Sequence, residues 1–342
     1  MKKWIAGAAL ALTAMTGSAM AEGHGDYPER PIMLMVSYGA GGATDFQARI
    51  VTMTAGNEDA LQMPVAILNK AGAGGRVGWN WLAQAEADGY TMGAYNVPHF
   101  IAQSIEGGVD YSTDSFEPIA NWGADPAVFV VGADSEFNSM ADVIAYATAN
   151  PGGLTFSGAG LFVGHHIAAL QMEKAGDMKM AYIPTKGGGA AAMKAVIAGD
   201  VMAGINNLSD AFRAASAGNV KILAVADLER NEFLPDVPTM MESGLAVDNA
   251  SVNFRGVMVP KGTPQGIIDK LAATVPMMFE NKRVAGKMKA GGSVFKPHMM
   301  YDKKTGKPKC DSKYEKLSEE IRKTIFEHVL KYKESQPDKQ FR

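Results

Sequence analysis

The stretch Met33-Leu34-Met35-Val36-Ser37-Tyr38-Gly39-Ala40-Gly41-Gly42-Ala43-Thr44-Asp45 reads as an apolar strand that runs straight into a glycine-rich turn and opens a helix. The same design returns three times. Asn69-Lys70-Ala71-Gly72-Ala73-Gly74-Gly75 follows an apolar run at 65–68, Ser157-Gly158-Ala159-Gly160 ends a run at 154–157, and Thr185-Lys186-Gly187-Gly188-Gly189 follows a run at 180–183. Outward from these, short apolar runs at 91–95, 128–131, 201–205, 222–226 and 256–259 alternate with amphipathic or alanine-rich segments. That alternation predicts an α/β protein with mostly parallel sheets. Within it, 139–150 reads as a helix: Met140, Val143, Ile144 and Ala147 share one face, Ser139 suits the N-cap, and Pro151 lies beyond the end. A last helix is expected over 312–333, with Leu317, Ile321, Ile325 and Val329 on its packed side and an exposed loop before it at 296–313.

Glycine lets a backbone turn tightly and come close to a ligand, and the free amides of the helix that follows offer donors to an anion. In open α/β sheets such loops gather beyond the carboxyl ends of the strands, where ligands bind. A single loop of this kind is equally a plain turn. None of the four matches G-x-x-x-x-G-K-[ST], and none gives a full G-x-G-x-x-G fingerprint, so a nucleotide is the lesser reading.

The chain begins with Lys2 and Lys3, an apolar run from Trp4 to about Met15, and small residues ending Ala19-Met20-Ala21. This is the layout of a secretory signal peptide cleaved after Ala21, with an apolar run short of the roughly 20 residues that span a bilayer. Without it, 31 basic stand against 36 acidic residues, a mildly acidic balance that argues against nucleic acid. Nothing later reads as a membrane insertion. Cys310 is the only cysteine, so no intramolecular disulfide or cysteine-rich metal site is available. The length suits two domains with separate cores.

Several side chains carry two readings. Asp45 and Thr44 stand where a helix is capped, and also where they could line a pocket. His165 and His166 are adjacent, so they cannot form the i, i+4 pair that grips a metal; one of them could reach a cleft. Asn206, with Asn207 beside it, follows a strand end and suits directional hydrogen bonding or a turn. Tyr95, Asn96 and His99 follow another. Arg255 could pair with a ligand carboxylate or form a hinge salt bridge. The 22 methionines read as core filler. No nucleophile with a base and no G-x-S-x-G elbow is evident, and no cofactor or metal is expected.

Further stretches join the loops. They are Tyr27-Pro28 with Arg30-Pro31-Ile32, Ala40 to Asp45 with Ala48-Arg49, Asn69 to Gly75, and Ala85 with Asp88-Gly89-Tyr90-Thr91. Lys186 to Ala191, Gly199-Asp200, Leu234 to Thr239 with Glu242 and Gly244, and Val259 to Pro264 complete them. In order and spacing they resemble the tripartite tricarboxylate transporter receptors, also called the TctC or Bug family of periplasmic solute-binding proteins. Lys70 and Ala71 depart from the family's usual basic residue and proline, and the region after Gly292 diverges.

The resemblance implies a two-lobed periplasmic binding protein of type II arrangement, with a hinge between lobes. It would close over a small carboxylate and deliver it to the membrane components of a tripartite transporter, as a monomer. Residues 22–123 and 252–342 would form lobe 1, and 124–251 lobe 2. The residues carried over are Tyr38, Gly41, Gly42, Thr44 and Asp45, with Asn69, Gly74 and Gly75 behind them, and Gly158, Gly160, His165, Thr185 and Gly188 from lobe 2. Asn206 joins them from its own position. A sensory receptor that reads the same closure for a signalling partner is the alternative, and an enzyme acting on a carboxylic acid is the third.

Overall fold

The computed structural model describes residues 27–293 together with 295, 298 and 299. The leader at 1–21, Cys310 and the helix expected over 312–333 lie outside the described residues, as does most of the 296–313 loop.

The chain builds two sheets. The first holds β1 (Ile32–Val36), β2 (Val65–Asn69), β3 (Thr91–Val97), β4 (Phe116–Asp125), β10 (Asn253–Pro260) and β11 (His298–Met299), in the order β11-β4-β10-β3-β1-β2. The second holds β5 (Ala127–Gly132), β6 (Thr155–Gly158), β7 (Ala181–Pro184), β8 (Ala203–Asn207) and β9 (Val220–Ala226), in the order β7-β6-β8-β5-β9. Helices α1 (Ala43–Val51), α2 (Arg76–Ala83), α3 (His99–Glu106), α8 (Gln265–Glu280) and α9 (Lys282–Ala290) accompany the first sheet. α4 (Met140–Ala149), α5 (Gly164–Gly176), α6 (Gly189–Ile197) and α7 (Leu208–Ser216) accompany the second. Each sheet has its own apolar core. Leu34, Val36, Trp79, Trp122 and Phe279 are buried in the first and Phe129, Phe156, Met172 and Ile205 in the second.

β1 is an unbroken apolar run because both of its faces are covered, as parallel strands require. α4 matches its sequence signature. Ser139 caps it, accepting from the Asp142 amide, while the Asp142 carboxylate accepts from Ser139 N–H; Met140, Val143 and Ala147 are buried.

Both sheets are mixed rather than mostly parallel. β1 pairs in parallel with β2 and β3, and β6 with β7 and β8, but β10 runs antiparallel to β3 and β4, and β5 antiparallel to β8 and β9. The reason is topological. β4 carries the chain out of the first sheet, β10 brings it back, and two legs of one crossing that lie side by side must run in opposite directions. His298–Met299 adds a short antiparallel strand on β4 where a loop was expected.

Candidate functional site

Glycine-rich turns end β1, β2, β6 and β7, and all four meet where the two sheets face each other. The first turn leads into α1 with Gly42 as N-cap, and the fourth leads into α6 with Gly188 as N-cap. A Cβ on Gly42 would stand 3.6 Å from the backbone nitrogen of Ala190, so the two helix starts oppose each other directly. Helix starts carry the positive end of the peptide dipole together with unsatisfied N–H groups. Two of them converging make a site for negative charge.

The small cavity between them is lined by Tyr38, Gly42, Thr44, Asn96, His99 and His165, with Asn207, Asp210 and Asn253 and the backbone around Gly187–Ala190. His165 Nδ1 accepts from the Ala159 amide at 3.2 Å, which places the imidazole proton on Nε2. That Nε2 is buried and lacks a hydrogen-bond partner among the described residues; Asn207 lies close enough to favour the ring's charge without meeting hydrogen-bond geometry. Burial pushes the His165 pKa down to about 4, so at neutral pH it is an uncharged donor facing the cavity. His99 Nδ1 lies 2.6 Å from the Tyr38 hydroxyl, its Nε2 likewise lacks a partner among the described residues, and burial holds it well below the ordinary histidine value. His166 turns the other way, with Nδ1 accepting from Phe162 N–H at 3.1 Å and its ring stacked on Tyr182.

Several expected site residues shape the loops rather than line the cavity. Asp45 is not the N-cap of α1. Its carboxylate reaches back to Gly41 N–H at 2.9 Å and accepts from Arg49 and from Asn69 Nδ2, also at 2.9 Å. Burial, the largest single influence, pushes its pKa up, yet the bonds from Arg49, Gly41 and Asn69 together outweigh it and hold the carboxyl below its usual range. Asn69 donates to the Tyr38 carbonyl at 3.0 Å and so ties the second loop to the first. The Gly74 carbonyl accepts from Tyr38 Oη at 3.1 Å, and Gly75 packs on Trp79.

On the other side, Gly158 O accepts from Thr185 Oγ1 at 3.0 Å, and Gly160 O from Tyr182 Oη at 2.6 Å. Gly188, with φ of 73°, packs on the Tyr38 ring. Asn206 donates to Gly189 O at 2.9 Å and holds the start of α6, leaving Asn207 to face the cavity. Tyr95 does not line the cavity, whereas Asn96 and His99 do.

Arg255 forms a buried ion pair between the two crossing strands. It is buried in β10, with Nη1 2.6 Å from Asp125 Oδ2 on β4, Nε 3.1 Å from Thr44 Oγ1 and Nη1 3.1 Å from Gln47 Oε1. Asp125 also accepts from Ser209 N–H at the start of α7. Asn96, in the amide orientation that satisfies both its ends, accepts from Thr44 Oγ1 and Arg255 Nε and donates to Tyr95 O. Asp210 and Asn253 line the cavity although sequence reasoning did not mark them. Asp210 reads locally as an acidic residue in the first turn of a helix, and only the packing of the two sheets brings it to the site.

No cluster of three or more His, Cys, Asp or Glu able to hold a metal occurs among the described residues, and no helix there is long and apolar enough to cross a membrane.

Two sheets with separate cores, joined by a paired crossing and enclosing an anion-seeking cavity between opposed glycine turns, define a two-lobed solute-binding protein. Residues 48–304 match the tripartite tricarboxylate transporter family receptor (TctC) model, and the chain belongs to this receptor family. It is 32% identical over 270 residues to the protein BugT of Bordetella pertussis, covering 78% of this chain and 82% of BugT. It superposes with a TM-score of 0.77 on the periplasmic binding protein BugD, 26% identical, covering 92% of this chain and 100% of that one. A TM-score of 0.77 also relates it to MatC from Rhodopseudomonas palustris, solved with bound malate, at 24% identity and covering 89% and 100% of the two chains.

Proposed function

We propose that this protein captures a small carboxylate between its two lobes in the periplasm and hands it, as a monomer, to the membrane components of a tripartite tricarboxylate-type transporter. The leader would direct export and be cleaved after Ala21. Lobe 1 would comprise 22–123 and 252–342, and lobe 2 residues 124–251, turning about the β4–β10 crossing. The observation that carries this reading is the opposition of the α1 and α6 starts across a cavity into which His165 Nε2 presents a buried, uncharged donor. Backbone amides and a neutral imidazole bind carboxylate by directional donation, without a fixed cation. Malate bound to MatC, a protein of the same fold, is compatible with that chemistry.

In this reading Gly42, Thr44, Tyr38 and His165 face the solute, and Gly41, Asp45, Asn69, Gly74, Gly75, Gly158, Gly160, Thr185, Gly188 and Asn206 hold the loops that do so. The arrangement performs binding and release, with no turnover of the acid.

Thermal unfolding of the mature chain from residue 22, with mono-, di- and tricarboxylates, neutral sugars, amino acids and nucleotides, tests the reading. A solute at about a hundred times its Kd adds about 2.7 kcal/mol, or roughly 4 °C in a chain of this size. Carboxylates are expected to give that shift. A shift with a neutral sugar and none with any carboxylate rejects the reading.

A further inference from the structure

Asp210 presents a carboxylate where the site is built to take one. It lies on α7, is buried, and accepts from Ala43 N–H at the start of α1, on the opposite lobe, through Oδ2 at 3.1 Å. The same oxygen stands 3.1 Å from where a Cβ on Gly189 would be, at the start of α6. It therefore sits between the two helix starts that make the cavity attractive to an anion. Its other oxygen is paired with Arg213, whose guanidinium lies 4.1 Å from the centroid of the Phe46 ring on α1. Both halves of this ion pair thus reach across from lobe 2 to lobe 1. An aspartate merely capping its own helix would spend its oxygens on the amides of α7; beside its pair with Arg213 and a 3.5 Å bond from the Asn207 side chain at the start of α7, this one takes its backbone amide from a different helix. His165 Nε2, buried and without a partner among the described residues, lines the same cavity, so the place is equipped for an acceptor beyond the one Asp210 supplies.

Resting on the carboxylate-receptor reading, we infer that Asp210 is a built-in ligand of the site: its carboxylate holds the lobes together through the α1 amide and must be displaced by the incoming solute. Asp210 thereby determines specificity. A solute has to bring enough acceptors to replace the Asp210 contact and tolerate the displaced carboxylate as a neighbour. A weak monocarboxylate offers one replacement, whereas a dicarboxylate can occupy the α1 start and His165 together. The apparent affinity of every solute is reduced by the fraction of receptor in which Asp210 holds the amide.

The test compares wild type with Asp210→Ser, the conservative Asp210→Asn, and the double variant Asp210→Ser/Arg213→Gln, which removes both charges so that a freed guanidinium cannot supply the gain. Circular dichroism selects the folded variants, and Asp210→Asn keeps the test alive should serine disturb α7. Two readouts are taken: Kd for succinate, malate, adipate and glutamate by calorimetry, and the solute-free radius of gyration by small-angle scattering. Succinate, malate and adipate are expected to bind about tenfold or more tighter to the serine variant and to the double variant. The asparagine variant is expected to fall between, and the solute-free serine variant to scatter as a more open particle than wild type. Equal or weaker dicarboxylate binding by the double variant, with unchanged solute-free scattering, overturns the inference. So does selective loss of glutamate binding, which would make Asp210 the partner of a solute ammonium group. Should no carboxylate bind wild type or any variant, the receptor reading fails, and the scattering comparison still decides whether Asp210 latches the lobes.

Discussion

At Gly42 the backbone has an ordinary φ of −76°, and an added Cβ would meet nothing nearer than 3.5 Å, so neither the backbone nor a Cβ is strained there. Aspartate is moreover a better N-cap than glycine. Gly42→Asp is therefore expected to fold with undiminished stability while placing a negative charge between the α1 and α6 starts. Calorimetric titration should show carboxylate binding lost by about a hundredfold or more, a penalty of roughly 2.7 kcal/mol, with the thermal midpoint retained. The sequence made Tyr38, Gly42, Thr44 and His165 legible because strand ends and helix starts are local signals. Asp45 binds Gly41 and Arg49 within four residues of itself, but its bond from Asn69, and that of Asn69 to the Tyr38 carbonyl, cross between the first and second loops, so their role as loop braces needed the fold. Asp210 carries only the local mark of an acidic first-turn residue, which says nothing of the site: its partner Ala43 is 167 residues away.

Among the elements, the paired legs β4 and β10 carry the burden of joining two lobes. Arg255 and Asp125 are both buried on them, and each also grips a helix start, Arg255 through Thr44 of α1 and Asp125 through Ser209 of α7. Removing one partner strands the other charge away from water. Asp125→Ala is expected to cost about 3–5 kcal/mol, read as a lowered urea midpoint. All nine strands suggested by apolar runs are present. β4 escaped because Pro118 and Gly123 interrupt it and because its register with β10 shifts twice, which erases the period-two signal. Its partner β10 was visible only as the short run at 256–259. The mixed character of the sheets was hidden for the same reason, since strand direction follows from the crossing and has no composition of its own.

At the scale of the molecule, closure and acid response are linked to the interface. A Cβ on Gly39 would stand 2.9 Å from the Gly187 carbonyl oxygen across the lobes. Gly39→Ala is therefore expected to leave each lobe folded but hinder full closure, weakening carboxylate binding about tenfold or more with a larger solute-bound radius of gyration. The buried histidines set a pH response. Burial depresses His165 to about 4 and His166 to about 3, whereas the unfolded chain protonates histidine near 6.5. Between these values the unfolded chain holds more protons, so stability is intact above about pH 6.5 and falls below it. Each histidine contributes roughly 1.4 kcal/mol per pH unit until its folded value is reached. Urea midpoints at pH 7 and pH 5 should differ accordingly, and His166→Phe should reduce the difference without touching the cavity.

The bare backbone along the seam has a kinetic meaning. Gly39 faces Gly187, Gly160 comes against Gly74, and Gly42 faces Ala190, so at these points the lobes meet without long side chains between them. A long side chain pinned at an interface gives up about 1.5–2 kcal/mol of rotamer freedom, and glycine and alanine give up none. At these three points shutting the seam freezes no rotamer, and parting it unlocks none. Solute residence time is then set by the contacts to the solute, by the crossing strands and by the few side chains that do reach across, Asp210 and Arg213 among them, while the bare points add no barrier of their own.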